Sequence, residues 1–128
     1  MFEYNKDVKK RDEIIFGEYD EEQYMGGVRD FERMDVDTLK MMVEMKYADP
    51  KEQQNNSPTI AEFIEFMEEN EGYTVGGYVV SIHRNDYRVS IESIDSDEPF
   101  GTFEQLEKFC KFARWADEFD TRGYAWWD

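Results

Sequence analysis

A chain of 128 residues that is 40% apolar and 16% aromatic can bury roughly two thirds of its extended surface in one core, which excludes a disordered acidic tail. Its 31 Asp and Glu against 15 Lys and Arg leave a net charge of -16, a field that repels nucleic acid and anionic membranes but speeds encounter with basic proteins. The single Cys110 excludes an internal disulfide or multi-cysteine metal site and suits a reducing, cytoplasmic setting, while no run of about 18 apolar residues spans a membrane and MFEYNKDVKKRDE does not read as a secretory signal.

Residues 1–128 read as a single domain. The first 33 carry the weakest pattern: Ile14, Ile15 and Phe16 before Gly17 suggest a short strand, and Gly26-Gly27 marks a turn. From Asp35 the pattern turns helical. Val36, Leu39, Met42, Val43 and Tyr47 recur at three- and four-residue spacing, with Asp35 or Asp37 as N-cap and Ala48-Asp49-Pro50 as the stop, which predicts a helix over 36–48.

KEQQNNSP reads as a polar loop. The second helix, over 58–70, has stronger start signals: Ser57 or Thr59 as cap, Pro58 in the first turn, and Glu62 three residues after Thr59 as a capping box. Ile60, Phe63, Ile64 and Met67 form its buried stripe. Glu62, Glu65, Glu68 and Glu69 form an opposite ridge with no base nearby in sequence, since none occurs between Lys51 and Arg84.

The stretch TVGGYVVSIHRNDYRVSIESI predicts a hairpin over 74–94. Tyr78, Val80 and Ile82 alternate with smaller or polar residues, and Tyr87, Val89 and Ile91 answer across an Asn85-Asp86 turn. A lone hairpin is marginal in water, so at least one more strand or a covering helix is needed, and IIFGEY and the RGYAWW tail are the candidates for that strand. Gly76-Gly77 reads as a bulge or a point of close packing.

Thr102 with Gln105 makes another capping box and predicts a helix over 102–119. Phe103, Leu106, Phe109, Cys110 and Ala113 form its expected core face, while Phe112, Trp115 and Phe119 form a second apolar face. The tail GYAWW is expected to fold back over that second face, with Trp126 and Trp127 pointing to opposite sides of an extended segment. The alternative is that some of these rings stay accessible and, rimmed by Asp117, Asp120 and Asp128, form a contact patch for a basic partner. The fold expected is therefore α+β: a small antiparallel sheet built on the 74–94 hairpin, packed by helices at 36–48, 58–70 and 102–119.

Tests for chemistry return no catalytic, cofactor-binding or metal-ligating residue. DSDEPFGTFEQLE fails as a calcium loop, because counting from Asp95 puts Gly101 at position 7 instead of 6 and Leu106 at 12, where a bidentate Glu is required. His83 is the only histidine, and Cys110 falls on an expected buried helix face where thiols are inert. The glycine pairs lack phosphate-loop spacing.

The reading that remains is an acidic inhibitor or modulator that docks on a basic, often nucleic-acid-binding, protein such as a nuclease. An immunity protein, antitoxin or phage-type anti-defence protein would act in this way, partly as a nucleic-acid mimic. Candidate contact residues are Glu62, Glu65, Glu68 and Glu69 on the second helix, Asp95, Asp97 and Glu98 in the acidic turn, and Trp115, Asp117 and Asp120 beyond it. The alternative is an accessory interaction domain, a homo-oligomer joined through Trp115 and Trp127, with incidental charge. A small-ligand domain or enzyme using a pocket carboxylate ranks behind both.

Overall fold

The computed structural model describes residues 2–128. In chain order they form α1 (Val8–Phe16), β1 (Val28–Met34), α2 (Val36–Glu44), α3 (Ile60–Glu69), β2 (Tyr73–Val80), β3 (Val89–Ser96), α4 (Phe103–Phe112), β4 (Glu118–Phe119) and β5 (Tyr124–Trp126), with one short 3-10 turn at Glu21–Gln23. The strands make one antiparallel sheet in the order β1-β2-β3-β5-β4. This is an α+β fold centred on the β2–β3 hairpin.

Local chemistry accounts for the helix starts. Asp35 accepts the Thr38 N–H at the head of α2, Thr59 and Glu62 form a reciprocal capping box on α3, and Thr102 and Gln105 do the same on α4. Each satisfies backbone donors that the first helical turn leaves free. The helix ends fall earlier than periodicity suggests. Lys46, in the left-handed region at φ 65°, reverses the chain after α2, so Tyr47 and Ala48 enter the core from a turn whose N–H groups reach the Met42 carbonyl.

The IIFGEY segment is not a strand. Ile14, Ile15 and Phe16 close α1, which Asp7 caps at its start and left-handed Gly17 ends. The strand in that region is β1, hidden in sequence because its register shifts between Phe31 and Met34 and its two buried residues fall out of alternation.

In the hairpin, Val79 stands opposite Val89 and Tyr78 opposite Ser90. The inward set of β2 is therefore Tyr73, Val75 and Val79, and Tyr78 and Val80 belong to the other face. The alternation of β2 is itself unbroken. The bulge lies on β3, where Gly76 pairs with Ser93 and Gly77 with Ile91, so that Glu92 is the extra residue and the inward set passes from Val89 and Ile91 to Ile94.

The helix expected over 102–119 stops at Phe112. Beyond it the chain turns back so that the two-residue strand β4 pairs with β5, with Asp117 N–H donating to the Trp126 carbonyl and Asp120 N–H to that of Tyr124. Phe103, expected in the core, is exposed, and Phe100 takes that place against Phe109 at 5.5 Å between ring centroids. Phe112, assigned to the second face, stacks on Phe66 at 4.1 Å.

The core lies on one side of the sheet. Leu39 and Met42 of α2, Ile60, Phe63 and Met67 of α3, and Phe109 of α4 pack on Val75, Val79, Val89, Ile91, Ile94 and Ala125. Trp127, only 1% exposed, meets the edge of Phe63 at 5.4 Å and anchors the tail in this layer. Among the described residues no helix is long and apolar enough to cross a membrane.

Candidate binding surface on the open face of the sheet

Because side chains alternate across a strand, the residues between those core positions form a second face. The loop after α2 covers its Tyr78 and Ser90 part, where Gln54 donates to both hydroxyls and Ser90 is fully buried. The part around Thr74, Gly76, Ser93 and Asp95 stays open. Gly76 stands opposite Ser93, Ser93 opposite Trp126, and Trp126 opposite Glu118, while Thr74 stands opposite Asp95 and Asp95 opposite Tyr124. Asp30 reaches the same face from β1, opposite Tyr78. Trp126 and Tyr124 are half-buried.

At the centre is a depression of about 370 Å³ lined by Asp30, Glu32, Arg33, Glu92, Asp95, Trp126 and Tyr124, over the backbone of Gly76 and Gly77. Glycine is required here by crowding. A Cβ on Gly77 would sit 1.9 Å from the Ser90 carbonyl oxygen, and one on Gly76 would sit 2.7 Å from Ser93 Oγ. Gly76 thus keeps the floor free of a side chain between acids that stand on different strands, while Gly77, on the same side as Val75 and Val79, allows the close approach of the β3 backbone beneath it.

Those acids feel one another. Partial burial raises the Glu92 pKa, and the charges of Asp30 and Asp128 raise it further. The Asp95 pKa is also raised, first by burial; the Ser96 N–H counters this, Asp120 and Asp97 add to it, and Arg33 opposes it weakly. Burial likewise raises the Tyr124 pKa, with Glu118, Asp95, Glu92 and Asp120 all adding to the shift. Burial works against ionisation of Asp120, but hydrogen bonds from the Arg122 and Tyr124 N–H groups outweigh it and lower its pKa. Carboxylates from β1, β3, β4, the β4–β5 turn and the tail therefore share one electrostatic field.

The sequence-derived candidates divide between two sides of the molecule. Glu62, Glu65 and Glu69 lie on the helical side, in a groove of about 420 Å³ shared with Lys108, Lys111 and Arg114 of α4 and its C-terminal turn. Glu68 is bonded to Lys40 at 2.9 Å. The α3 ridge, without bases in its own stretch of sequence, thus receives them from other elements. Asp95 lies in the depression, and Asp97 and Asp120 act on it electrostatically.

Glu98 is exposed beside the β3 end, where its carbonyl accepts from Ser96 Oγ at 2.5 Å. Asp117 accepts the Asp128 N–H at 2.7 Å and so tethers the chain end. Trp115 is 65% exposed, with the Arg114 guanidinium 5.7 Å from its ring centroid. Trp127 cannot share a surface with Trp115, because it is core; the oligomer interface expected through that pair loses one of its two rings.

Asp30, Glu32, Glu92, Glu118 and Tyr124 are not marked as contacts by the sequence, which gives Trp126 only as the ring pointing away from Trp127. SIESIDS followed by a paired GYAWW would have placed Asp95 and Trp126 on one face. Nothing local identified the β1 acids, because β1 itself was not legible.

The surface has acceptors and π faces and few donors, so its chemical complement is a donor-rich cation. It has no nucleophile and base in contact. His83 is exposed and bonded to Glu21 at 2.9 Å, and Cys110 is half-buried on α4. Among the described residues no group of three or more His, Cys, Asp and Glu side chains is arranged to hold a metal ion. Comparison with known protein families, with curated proteins and with solved structures finds no match, so the function has to be argued from this surface chemistry alone.

Proposed function

We propose that this chain is an acidic binding protein that docks on a basic, nucleic-acid-binding partner and blocks or modulates it, in the manner of an immunity protein, antitoxin or anti-defence protein. The observation that carries the reading is the open face, where Asp30, Glu92, Asp95, Glu118 and Asp120 gather from β1, β3, β4 and the β4–β5 turn, with Arg33 acting on Asp95 and Arg122 bonded to Asp120 at 3.3 Å. Carboxylates spread over a twisted sheet offer Lys and Arg pockets what backbone phosphates offer, with docking positioned by the fold. The net charge of -16 steers the encounter over a range set by ionic strength. The lone Cys110 suits a reducing compartment, and we place the protein in the cytoplasm.

The test is capture of partners by the immobilised chain from nuclease-treated extract, eluted with a salt gradient. The reading expects basic, nucleic-acid-binding proteins that elute as the Debye length shrinks from about 8 Å toward about 3 Å at 1 M salt, and loss of that protein's nucleic-acid binding when the purified chain is added. Empty capture at low salt, or a captured protein whose nucleic-acid binding is unaffected, overturns it.

A further inference from the structure

Two acidic surfaces could serve such a partner, and they are not equivalent. The α3 glutamates face Lys108, Lys111 and Arg114 across a shared groove, and Glu68 already holds Lys40, so a partner's cation must displace one already present. The depression on the sheet holds Asp30, Glu32, Glu92 and Asp95 against Arg33. It also has a floor of bare backbone at Gly76-Gly77, which the groove lacks, and the half-buried indole of Trp126 at its side, where the groove has the phenyl rings of Phe66 and Phe112.

Building on the reading of this chain as a binder of basic proteins, we propose that the open sheet face is the docking surface and that its depression seats an arginine side chain of the partner. A guanidinium meets three requirements of the site at once. Its planar fork donates to carboxylates on two sides, here Asp30 on β1 and Glu92 or Asp95 on β3. Its flat face stacks on indole, the aromatic ring that attracts cations best. It is also more weakly hydrated than an ammonium, so entering a half-enclosed hollow costs it less. A volume of about 370 Å³ lies at the small end of ligand clefts, which suits one side chain and its polar tip. The glycine floor lets that side chain lie along the strands without meeting a Cβ.

The experiment is a ¹H–¹⁵N NMR titration of the whole chain with the peptide acetyl-Gly-Arg-Gly-Arg-Gly-Arg-Gly-amide, repeated with lysine and with citrulline in place of arginine. The arginine peptide is expected to shift the Gly76, Gly77 and Glu92 amides and the Trp126 indole N–H saturably, the lysine peptide to bind several-fold more weakly, and the citrulline peptide not to bind. Paired Glu92→Gln and Asp95→Asn substitutions, which keep shape and relieve like-charge repulsion, should weaken the arginine peptide about ten-fold or more, the scale of a lost charge-assisted contact. Trp126→Leu should weaken it roughly three-fold. Replacing Glu62, Glu65 and Glu69 by Gln should leave the affinity unchanged.

Shifts centred on the α3–α4 groove, equal affinity for lysine and arginine, or peptide-free shifts that grow with protein concentration and so reveal a second copy on this face would each overturn the seat. If the variant with Glu92→Gln and Asp95→Asn still captures basic proteins as well as the original chain, this face is the wrong one while the binding function stands. If the original chain captures none, the function itself fails.

Discussion

The two faces of the sheet are made from the same strands, yet neighbouring residues on them answer to different physics. Trp127 is sealed against Phe63 and Phe112, while Trp126, the preceding residue, lies half-buried among carboxylates. On the covered side the acids of α3 receive cations from α2 and α4; on the open side Asp30, Glu32, Glu92 and Asp95 line one depression with Arg33, and Asp120 beside it is paired with Arg122 at 3.3 Å. What distinguishes the faces is the proximity of cations in space, which the spacing of charges along the chain does not report.

The comparison is sharpened most by the tryptophan pair. Trp127→Ala removes a fully buried ring and should cost about 3–5 kcal/mol, the usual range for deleting a core aromatic, whereas Trp126→Ala should cost a small fraction of that. Urea unfolding of both variants, with m checked for two-state behaviour, measures the difference. Equal losses would mean that the open face is structural after all.

Next in size is the glycine floor. Gly77→Ala forces a Cβ to within 1.9 Å of the Ser90 carbonyl oxygen and should destabilise by about 3 kcal/mol, the upper part of the overpacking range. Gly76→Ala meets chiefly the movable Ser93 hydroxyl at 2.7 Å and should cost less. If the order is reversed in thermal unfolding, the bulge does not hold the floor open.

A cap on the covered side gives a smaller, local effect. Thr59→Ala removes one half of the α3 capping box and should cost about 1 kcal/mol, with no change in binding at the open face. A weakened arginine-peptide affinity in this variant would show that the faces are coupled.

The smallest effect has a sign set by linkage. Glu92 has a folded-state pKa above its ordinary value, first through burial and then through Asp30 and Asp128. The folded state therefore holds a proton on Glu92 more tightly than the unfolded chain does. Its contribution to stability is full below the unfolded carboxylate range, about pH 4.3, and is lost as pH rises through the folded value. Glu92→Gln should thus raise Tm at neutral pH by on the order of a few degrees, with the gain vanishing near pH 4. Asp120 shows the opposite shift, being held low by N–H donors. Asp120→Asn should lower Tm at neutral pH, and the loss should fade as acid protonates the original carboxylate.

Legibility in sequence followed the range of the interaction. Thr102 was readable as an N-cap outright, and Asp35 and Thr59 as one of two neighbouring choices each, because a cap and its partner lie within three residues. The hairpin was readable in place but not in face, since Tyr78 and Val80 are as apolar as Val75 and Val79, and only the packing of the helices decides which of the two alternating sets of β2 faces the core. The end of α4 and the existence of β4 depended on β5 being available to pair, and β1 depended on a neighbour 41 or more positions away, as in Met34 opposite Val75 or Val28 opposite Val80. Of the candidate site, the acids of the 95–98 turn and Asp120 were visible, but the grouping that gives Asp95 a role was not.

From composition alone came the strongly negative balance, enough apolar material for a core, and helices with chemically marked beginnings, because these follow from residue identity and near neighbours. Tertiary structure decided which carboxylates meet a cation and which face each other over bare backbone. Coulomb interactions act through a few ångströms of space, and the strands that set those distances lie far apart along the chain.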